Sequence, residues 1–380
     1  MRNLTNTLGQ LPFAGLDDEN FQLTLFEHQN GNINFDPERL ASLKFNPLLS
    51  TAHKNFSLCK DIDPDSNFYS QFEDCEYYTE NTFKNLLTES KGRANGNNLA
   101  LLHLNIRSIS NKLDKFSVFL GNITINFSII AITETCLKDS SHTVDIPGFN
   151  FIHKRREDKA GGGVGLYLAD YFDFNLRPEF AFSDLCCESL FIEINRTKGK
   201  NIIIGVLYRP PDRNLRDFVV EMDQLLNVIS KENKIVYLLG DWNLNLMNHS
   251  FHEVTSEFLE LLYSRTFFPL ISRPTRITAH KASLIDNIFT NDFSHQSLNG
   301  LFLNDLSDHL PIFAIVKGLY DKISSPKFFT YREKNENNLE KFKAEIQNVI
   351  WSELPDYSSP SLAYGNFIKK YSSIITLAFH

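Results

Sequence analysis

The chain has 380 residues, 42% of them hydrophobic and 13% aromatic, with Phe alone contributing 33. These are globular values, compatible with one large domain with appendages or with two domains. The formal net charge of −8 excludes a uniformly basic nucleic-acid coat but leaves room for a local basic rim. The five cysteines, Cys59, Cys75, Cys136, Cys186 and Cys187, are odd in number and form no Cys-x-x-Cys, which tells against a disulfide framework or a zinc set. No basic-then-apolar leader follows Met1, and no apolar run reaches the roughly 20 residues of a membrane helix. The expectation is a reducing intracellular compartment, nucleus or cytoplasm, without membrane association.

Residues 1–98 read as a polar, poorly periodic leader with loop composition at Asp61-Ile62-Asp63-Pro64-Asp65 and from Gly92 to Asn98; Glu80 to Leu87 is a short amphipathic helix. From Leu99 the texture changes. Short apolar runs with β-branched content predict buried strands at Leu99–Leu104, Ser128–Thr133, Gly163–Leu168, Leu190–Ile194, Ile202–Leu207, Ile235–Leu239, Leu284–Thr290 and Leu310–Val316. Asn214 to Ser230 repeats Leu215, Phe218, Val219, Met222, Leu225 and Leu226 at helical spacing, and Glu253 to Tyr263 does so with Phe258, Leu259 and Leu262. Strands and helices alternate unevenly, which predicts α/β layers with mixed sheets over 99–318. Residues 319–380 form a charged helical tail with helices at Asn338–Ile350 and Leu362–Leu377. It stops inside a helical pattern, as a truncated linker would.

Polar residues at the ends of the apolar strands are the candidates for chemistry, because strands deliver side chains rigidly to the loops where sites are built. In order they are Asn105, Glu134, Tyr208 with Arg209-Pro210-Pro211, Asp241 and Asn243 within Gly240-Asp241-Trp242-Asn243, Asp286 after Ser283-Leu284-Ile285, and Asp308-His309. Each alone is an ordinary turn residue. Together they form an oxygen-rich set suited to hard Mg²⁺ or Mn²⁺ and unlike a zinc site. Clustered carboxylates raise one another's pKa unless a cation neutralises them. Gly161-Gly162-Gly163 lacks a following Gly-Lys-Ser/Thr and reads as a turn entering a strand. The basic run His153-Lys154-Arg155-Arg156 reads as a solvated loop or a contact to a nucleic-acid backbone.

The ordered set Asn105, Glu134-Thr135, Tyr208-Arg209-Pro210-Pro211, Gly240-Asp241-Trp242-Asn243, Ser283-Leu284-Ile285-Asp286 and Ser307-Asp308-His309 resembles the endonuclease/exonuclease/phosphatase superfamily over about Leu99 to Val316. Leu104-Asn105-Ile106-Arg107-Ser108, the Tyr-Arg-Pro-Pro run and the Leu-Ile-Asp segment resemble the apurinic-type endonucleases of LINE-like, non-LTR retrotransposons, in which a reverse transcriptase normally follows. The chain departs from that pattern at Cys136, where an aromatic is frequent, at Trp242, where Phe is frequent, and at Asn287, where His sometimes stands. None of these is a ligand position.

The resemblance implies a layered α/β sandwich of two mixed β-sheets flanked by helices. It implies Mg²⁺ (or Mn²⁺) held by Glu134 with Asn105 and Asp308. Asp241 would orient or deprotonate water, Asn243 would fix the scissile phosphate, and Tyr208 would contact the phosphate or leaving oxygen. His309, oriented by Asp286, would bond a phosphate oxygen or act as acid, and Ser283 and Arg209 would bind phosphate. It implies DNA as partner, with loose sequence preference through backbone contacts and deformability, and a nick that leaves a 3′-hydroxyl. Two other readings stay open: a phosphatase of inositol lipids or an RNA deadenylase on the same fold, and a catalytically silent relic or interaction domain.

Overall fold

The computed structural model describes residues 26–29, 32–35, 75–89, 98–123, 125–137, 144–156, 161–278, 281–319, 336–349 and 360–379. Most of the leader thus lies outside the described residues. What is described of it is a hairpin of β1 (Phe26–Gln29) and β2 (Asn32–Phe35), then β3 (Glu76–Tyr78) and helix α1 (Glu80–Glu89). The chain divides into two compact units, residues 1–323 and 324–380.

The first unit continues with β4 (Leu99–Asn105), α2 (Leu113–Asn122), β5 (Ile129–Thr133), β6 (Phe149–Lys154), β7 (Val164–Ala169), β8 (Phe174–Leu176), β9 (Glu188–Ile194) and β10 (Ile202–Tyr208). After it come α3 (Leu215–Ile229), β11 (Ile235–Asp241), α4 (Glu253–Ser264), β12 (Phe268–Pro269), β13 (Arg276–Ile277), β14 (Ala282–Ser283), β15 (Asp286–Thr290), β16 (Ser297–Phe302) and β17 (Ile312–Val316). Seven strands form one mixed sheet in the order β3-β16-β17-β4-β5-β7-β6, and six form another in the order β12-β15-β11-β10-β9-β8. Each sheet contains a parallel pair joined by a helix, β4–α2–β5 and β10–α3–β11, as a parallel connection requires. The expected mixed α/β sandwich is what the chain forms.

Alternation along the strands explains the layering. Leu99 and Leu101 of β4 belong to the cluster shared with Ile204, Val206 and Leu238 of the other sheet. Ala100, Leu102 and Leu104 belong to a second cluster with Phe116 and Phe119 of α2 and Phe83 of α1. Both faces of the strand are covered, so its sequence is a continuous apolar run. The amphipathic helix α3 is capped by Asn214, whose side chain accepts from Arg216 N, and buries Phe218, Met222, Leu225, Leu226 and Ile229. Phe218 and Phe258 of α4 pack about Trp242 and Phe289.

Four segments differ from the sequence expectation. Glu76–Tyr78 pairs in parallel with β16 and extends the large sheet, and Phe83 is fully buried, so residues 75–89 are part of the fold. The basic run begins inside β6, and Arg156 is turned inward onto Glu188. The helix α2 and the strand β16 gave no signal. The second unit contains α5 (Glu336–Gln347) and α6 (Pro360–Phe379), which meet through Phe342 and Tyr371. Among the described residues no helix is long and apolar enough to cross a membrane.

Candidate active site

The two parallel pairs end in register. Asn105, the last residue of β4, pairs with Thr133, and Tyr208, the last of β10, pairs with Asp241, the last of β11. Asp241 in turn lies opposite Asp286 at the start of β15. The carboxyl ends of both parallel pairs therefore converge on one place, the position where α/β sheets build sites.

There the side chains form one hydrogen-bonded group. Asn105 Nδ2 donates to Glu134 Oε1 and to Asp241 Oδ2, both at 2.8 Å. The Tyr208 hydroxyl donates to Glu134 Oε1 at 3.0 Å. Asn243 donates twice to Asp241, through its backbone N at 3.0 Å and Nδ2 at 3.2 Å. His309 Nδ1 lies 2.9 Å from Asp286 Oδ2 and 3.1 Å from Oδ1, with Asp241 Oδ2 at 4.0 Å. The Thr275 hydroxyl donates to Asp286 Oδ2 at 2.6 Å.

The backbone is bent to deliver these groups. Glu134 and Asn243 have φ of 52° and 46°, and Arg107 and Ser108 have 49° and 83°, a left-handed cluster of the kind found where a site over-determines its loops. Ser108 N donates to Glu134 O at 2.8 Å, while Thr135 N and Cys136 N donate to Gly163 O and Gly162 O at 3.1 and 2.8 Å. The glycine turn at 161–163 thus backs the Glu134 loop. A Cβ on Gly163, at φ +89°, would stand 2.4 Å from Thr135 Oγ1.

Burial and like charge set the titration of the group. Asp241 is pushed up, first by burial and then by Asp286, with His309 opposing. Burial alone would lower His309, but Asp286 foremost, together with Asp241 and Asp308, outweighs it and raises the imidazole to about 9. Asp286 is held low against its burial by His309. His309 is therefore a buried imidazolium paired with Asp286, while Asp241 is a carboxylate poised to take a proton.

Of the residues expected from the sequence, Asn105, Glu134, Tyr208, Asp241, Asn243, Asp286 and His309 are brought together. Asp308 adjoins them but is clamped by Arg107 Nε at 3.0 Å and Arg276 Nε at 2.9 Å. Ser283 stands apart on β14, its hydroxyl donating to Arg276 O at 3.4 Å. Arg209 is turned inward. Its guanidinium donates to the carbonyls of Trp242, Pro210, Arg213 and Asn243 at 2.7 to 3.2 Å, so the structure gives it a loop-fastening place and not the expected phosphate contact. Sequence reasoning missed Thr275, Arg276 and His103, a fully buried residue of β4 lying 3.9 Å from Asp286. Full burial sets Thr275 and His103 apart, and contact with Asp308 sets Arg276 apart.

The donor set fits a hard divalent cation. The carboxylates of Glu134, Asp241, Asp286 and Asp308 gather with no thiolate among them. Asp241, Asp286 and His309 can each offer an atom within 4.8 Å of the others, but both Asp286 oxygens are already engaged by His309 and Thr275. Glu134 Oε2 accepts no hydrogen bond among the described residues, and Asn105 Oδ1 takes only a 3.3 Å bond from Arg107 N. Those two oxygens are the open ones.

Several solved structures are similar. The endonuclease domain of TRAS1, a telomere-specific non-LTR retrotransposon, is 14% identical with a TM-score of 0.46, over 58% of this chain and 99% of that one. The AP endonuclease LMAP from Leishmania major is 11% identical with a TM-score of 0.48, over 65% and 94%. The human nocturnin catalytic domain with bound sulfate is 14% identical with a TM-score of 0.43, over 58% and 94%. Comparison with curated proteins gives no match. The family described as Endonuclease/Exonuclease/phosphatase matches residues 92–309, more than half of the chain and the whole span of the converging strand ends. The chain belongs to the endonuclease/exonuclease/phosphatase family.

Proposed function

We propose that the chain is a Mg²⁺-dependent phosphodiesterase (Mn²⁺ serving as well) that nicks DNA and leaves a 3′-hydroxyl, the endonuclease of a non-LTR retrotransposon. The observation that carries the hydrolytic reading is the single hydrogen-bonded group that joins Asn105, Glu134, Tyr208, Asp241 and Asn243, with the Asp286–His309 pair beside it. The preference for DNA and the element type rest on the resemblance of the Asn105–Ser108, Tyr-Arg-Pro-Pro and Leu-Ile-Asp segments.

Glu134 and Asn105, with Asp308 at the rim, would hold the ion, which when bound offsets phosphate charge and polarises the P–O bond. Asp241 orients water and takes its proton as the oxygen attacks phosphorus, a role its raised pKa favours. Asn243 fixes the scissile phosphate. Tyr208 donates to the phosphate once its hydroxyl leaves Glu134. Asp286 holds His309 by Nδ1, which directs Nε2 outward to protonate the leaving 3′-oxygen as the P–O bond breaks. Such preorganised donors are where most of the rate enhancement arises. In a retrotransposon the freed 3′-hydroxyl would prime reverse transcription at the nick.

A supercoiled-plasmid nicking assay with the full chain tests this. Mg²⁺ should support relaxation and EDTA should stop it, and Asp241→Ala and His309→Ala should each lose at least about 100-fold in rate while remaining folded. Folded protein that nicks with neither Mg²⁺ nor Mn²⁺ would overturn the nuclease reading in favour of a phosphatase or a silent relic. Undiminished nicking by either variant would overturn the site.

A further inference from the structure

His103 lies two residues before Asn105 on β4 and so points to the same side, into the space between the sheets. It is fully buried. Its Nε2 is 3.4 Å from the Thr133 hydroxyl, whereas its Nδ1 has no hydrogen-bond partner among the described residues and lies 3.9 Å from Asp286 Oδ1. A buried polar nitrogen left unpaired is costly.

The surroundings fix its tautomer. If Nε2 carried the hydrogen, a bare Nδ1 lone pair would face a buried carboxylate, an arrangement that low dielectric penalises. With the hydrogen on Nδ1, the Thr133 hydroxyl donates to Nε2 and the Nδ1–H points at Asp286. Asp286 then stands between two imidazoles. Its Oδ2 is fastened by Thr275 and His309, while Oδ1 receives, among the described residues, only the longer 3.1 Å approach of His309. Without His103 the carboxylate has all its neutral donors on one oxygen and can twist about its own axis, carrying His309 with it. The 3.9 Å separation is too long for a hydrogen bond, but a movement of under about an ångström would close it, and such contacts are often loose before substrate binds.

The geometry points to His103 as a positioning residue, the Nδ1–H tautomer that faces Asp286 Oδ1 from within the core, fixing the carboxylate plane and thereby the direction of His309 Nε2. This rests on the hydrolytic reading above for its effect on rate, but not for its tautomer.

Two measurements on the full chain test it. In ¹⁵N-histidine-labelled protein, assigned by loss of a single signal in folded His103→Asn, His103 should be protonated at Nδ1; an Nε2-protonated ring would overturn the proposal. His103→Asn keeps an N–H near the Nδ1 position, whereas His103→Leu has similar size and no donor. The Leu variant should lose roughly 10- to 100-fold in kcat with KM unchanged, and its His309 Nδ1 resonance should move. The Asn variant should stay within a few-fold of wild type on both readouts. Equal behaviour of the two variants would overturn the positioning role. If the wild-type chain nicks no DNA, the nuclease reading falls, while the tautomer and the His309 resonance still decide the place of His103.

Discussion

At the scale of the residue, the site is organised around two aspartates that ought to repel. Asp241 and Asp286 are paired directly across β11 and β15, a placement that is destabilising for like charges. The chain separates their titrations: His309 keeps Asp286 ionised, and Asp241 rises instead. That separation gives a pH dependence with a definite sign. In the folded chain His309 holds its proton to about 9, against an ordinary value of 6.5. The stabilisation it brings is complete below pH 6.5 and is lost as pH climbs through about 9. In EDTA, urea midpoints of the wild type should therefore fall between pH 6.5 and 9, and the same series on Asp286→Asn should lack most of that fall. Because burial alone lowers the imidazole, NMR titration of Asp286→Asn should find His309 below the wild-type value by more than a unit. A wild-type midpoint that rises over this range, or a His309 titration unmoved in the variant, would contradict the pairing.

At the scale of the element, two pairs of parallel strands deliver the chemistry, and the loops after them are fastened to each other. Gly240 has no room for a side chain, since a Cβ there would stand 2.1 Å from Leu207 O; β10 and β11 approach closely just before Tyr208 and Asp241. Arg209 then ties the two following loops through four carbonyls. If that is its task, Arg209→Lys, which lacks the planar fork, should cost about 2 to 4 kcal/mol in denaturation midpoint by leaving buried carbonyls unpaired. A phosphate-binding arginine would instead raise KM at unchanged stability, so the two measurements together separate the roles. The sequence carried these strands because burial on both faces writes an unbroken apolar run, as in β4, β5, β10 and β11. It hid α2, whose N-cap residue Lys112 makes no side-chain cap, and β16, interrupted by Gly300 and half-buried at its start. It hid β3 and β6 because edge strands are partly polar. Of the ten candidate residues that the sequence offers, the structure brings seven into one group. The direction of a guanidinium, or the nearness of His103 and Thr275 to Asp286, depends on contacts between distant segments and leaves no local pattern.

At the scale of the whole molecule, the site is divided between the sheets. Asn105, Glu134 and His309 come from segments of the seven-stranded sheet, and Tyr208, Asp241, Asn243 and Asp286 from the six-stranded one. The distances across it are set by the shared core in which Leu101, Ala131 and Leu166 meet Ile204, Val206 and Leu238. All of these residues belong to the first compact unit. The net charge of −8 makes the molecule as a whole unattractive to a polyanion, so a phosphate can approach only where local cations outweigh the carboxylates. Arg107, Arg276 and protonated His309 supply part of that, and a divalent ion would supply the rest. Since such an ion binds only the folded chain, it raises global stability by mass action: at about 100 times its Kd it adds about 2.7 kcal/mol, worth several degrees of Tm in a domain of this size. Calorimetry of the full chain with Mg²⁺ or Mn²⁺ against EDTA should show that rise. The variants then locate the ion. If Glu134 and Asn105 hold it, Glu134→Gln abolishes the rise and His309→Ala preserves it, because His309 contributes no ligand. The reverse pattern would place the ion among Asp241, Asp286 and His309, and would require that the Asp286–His309 bond opens whenever the metal is bound.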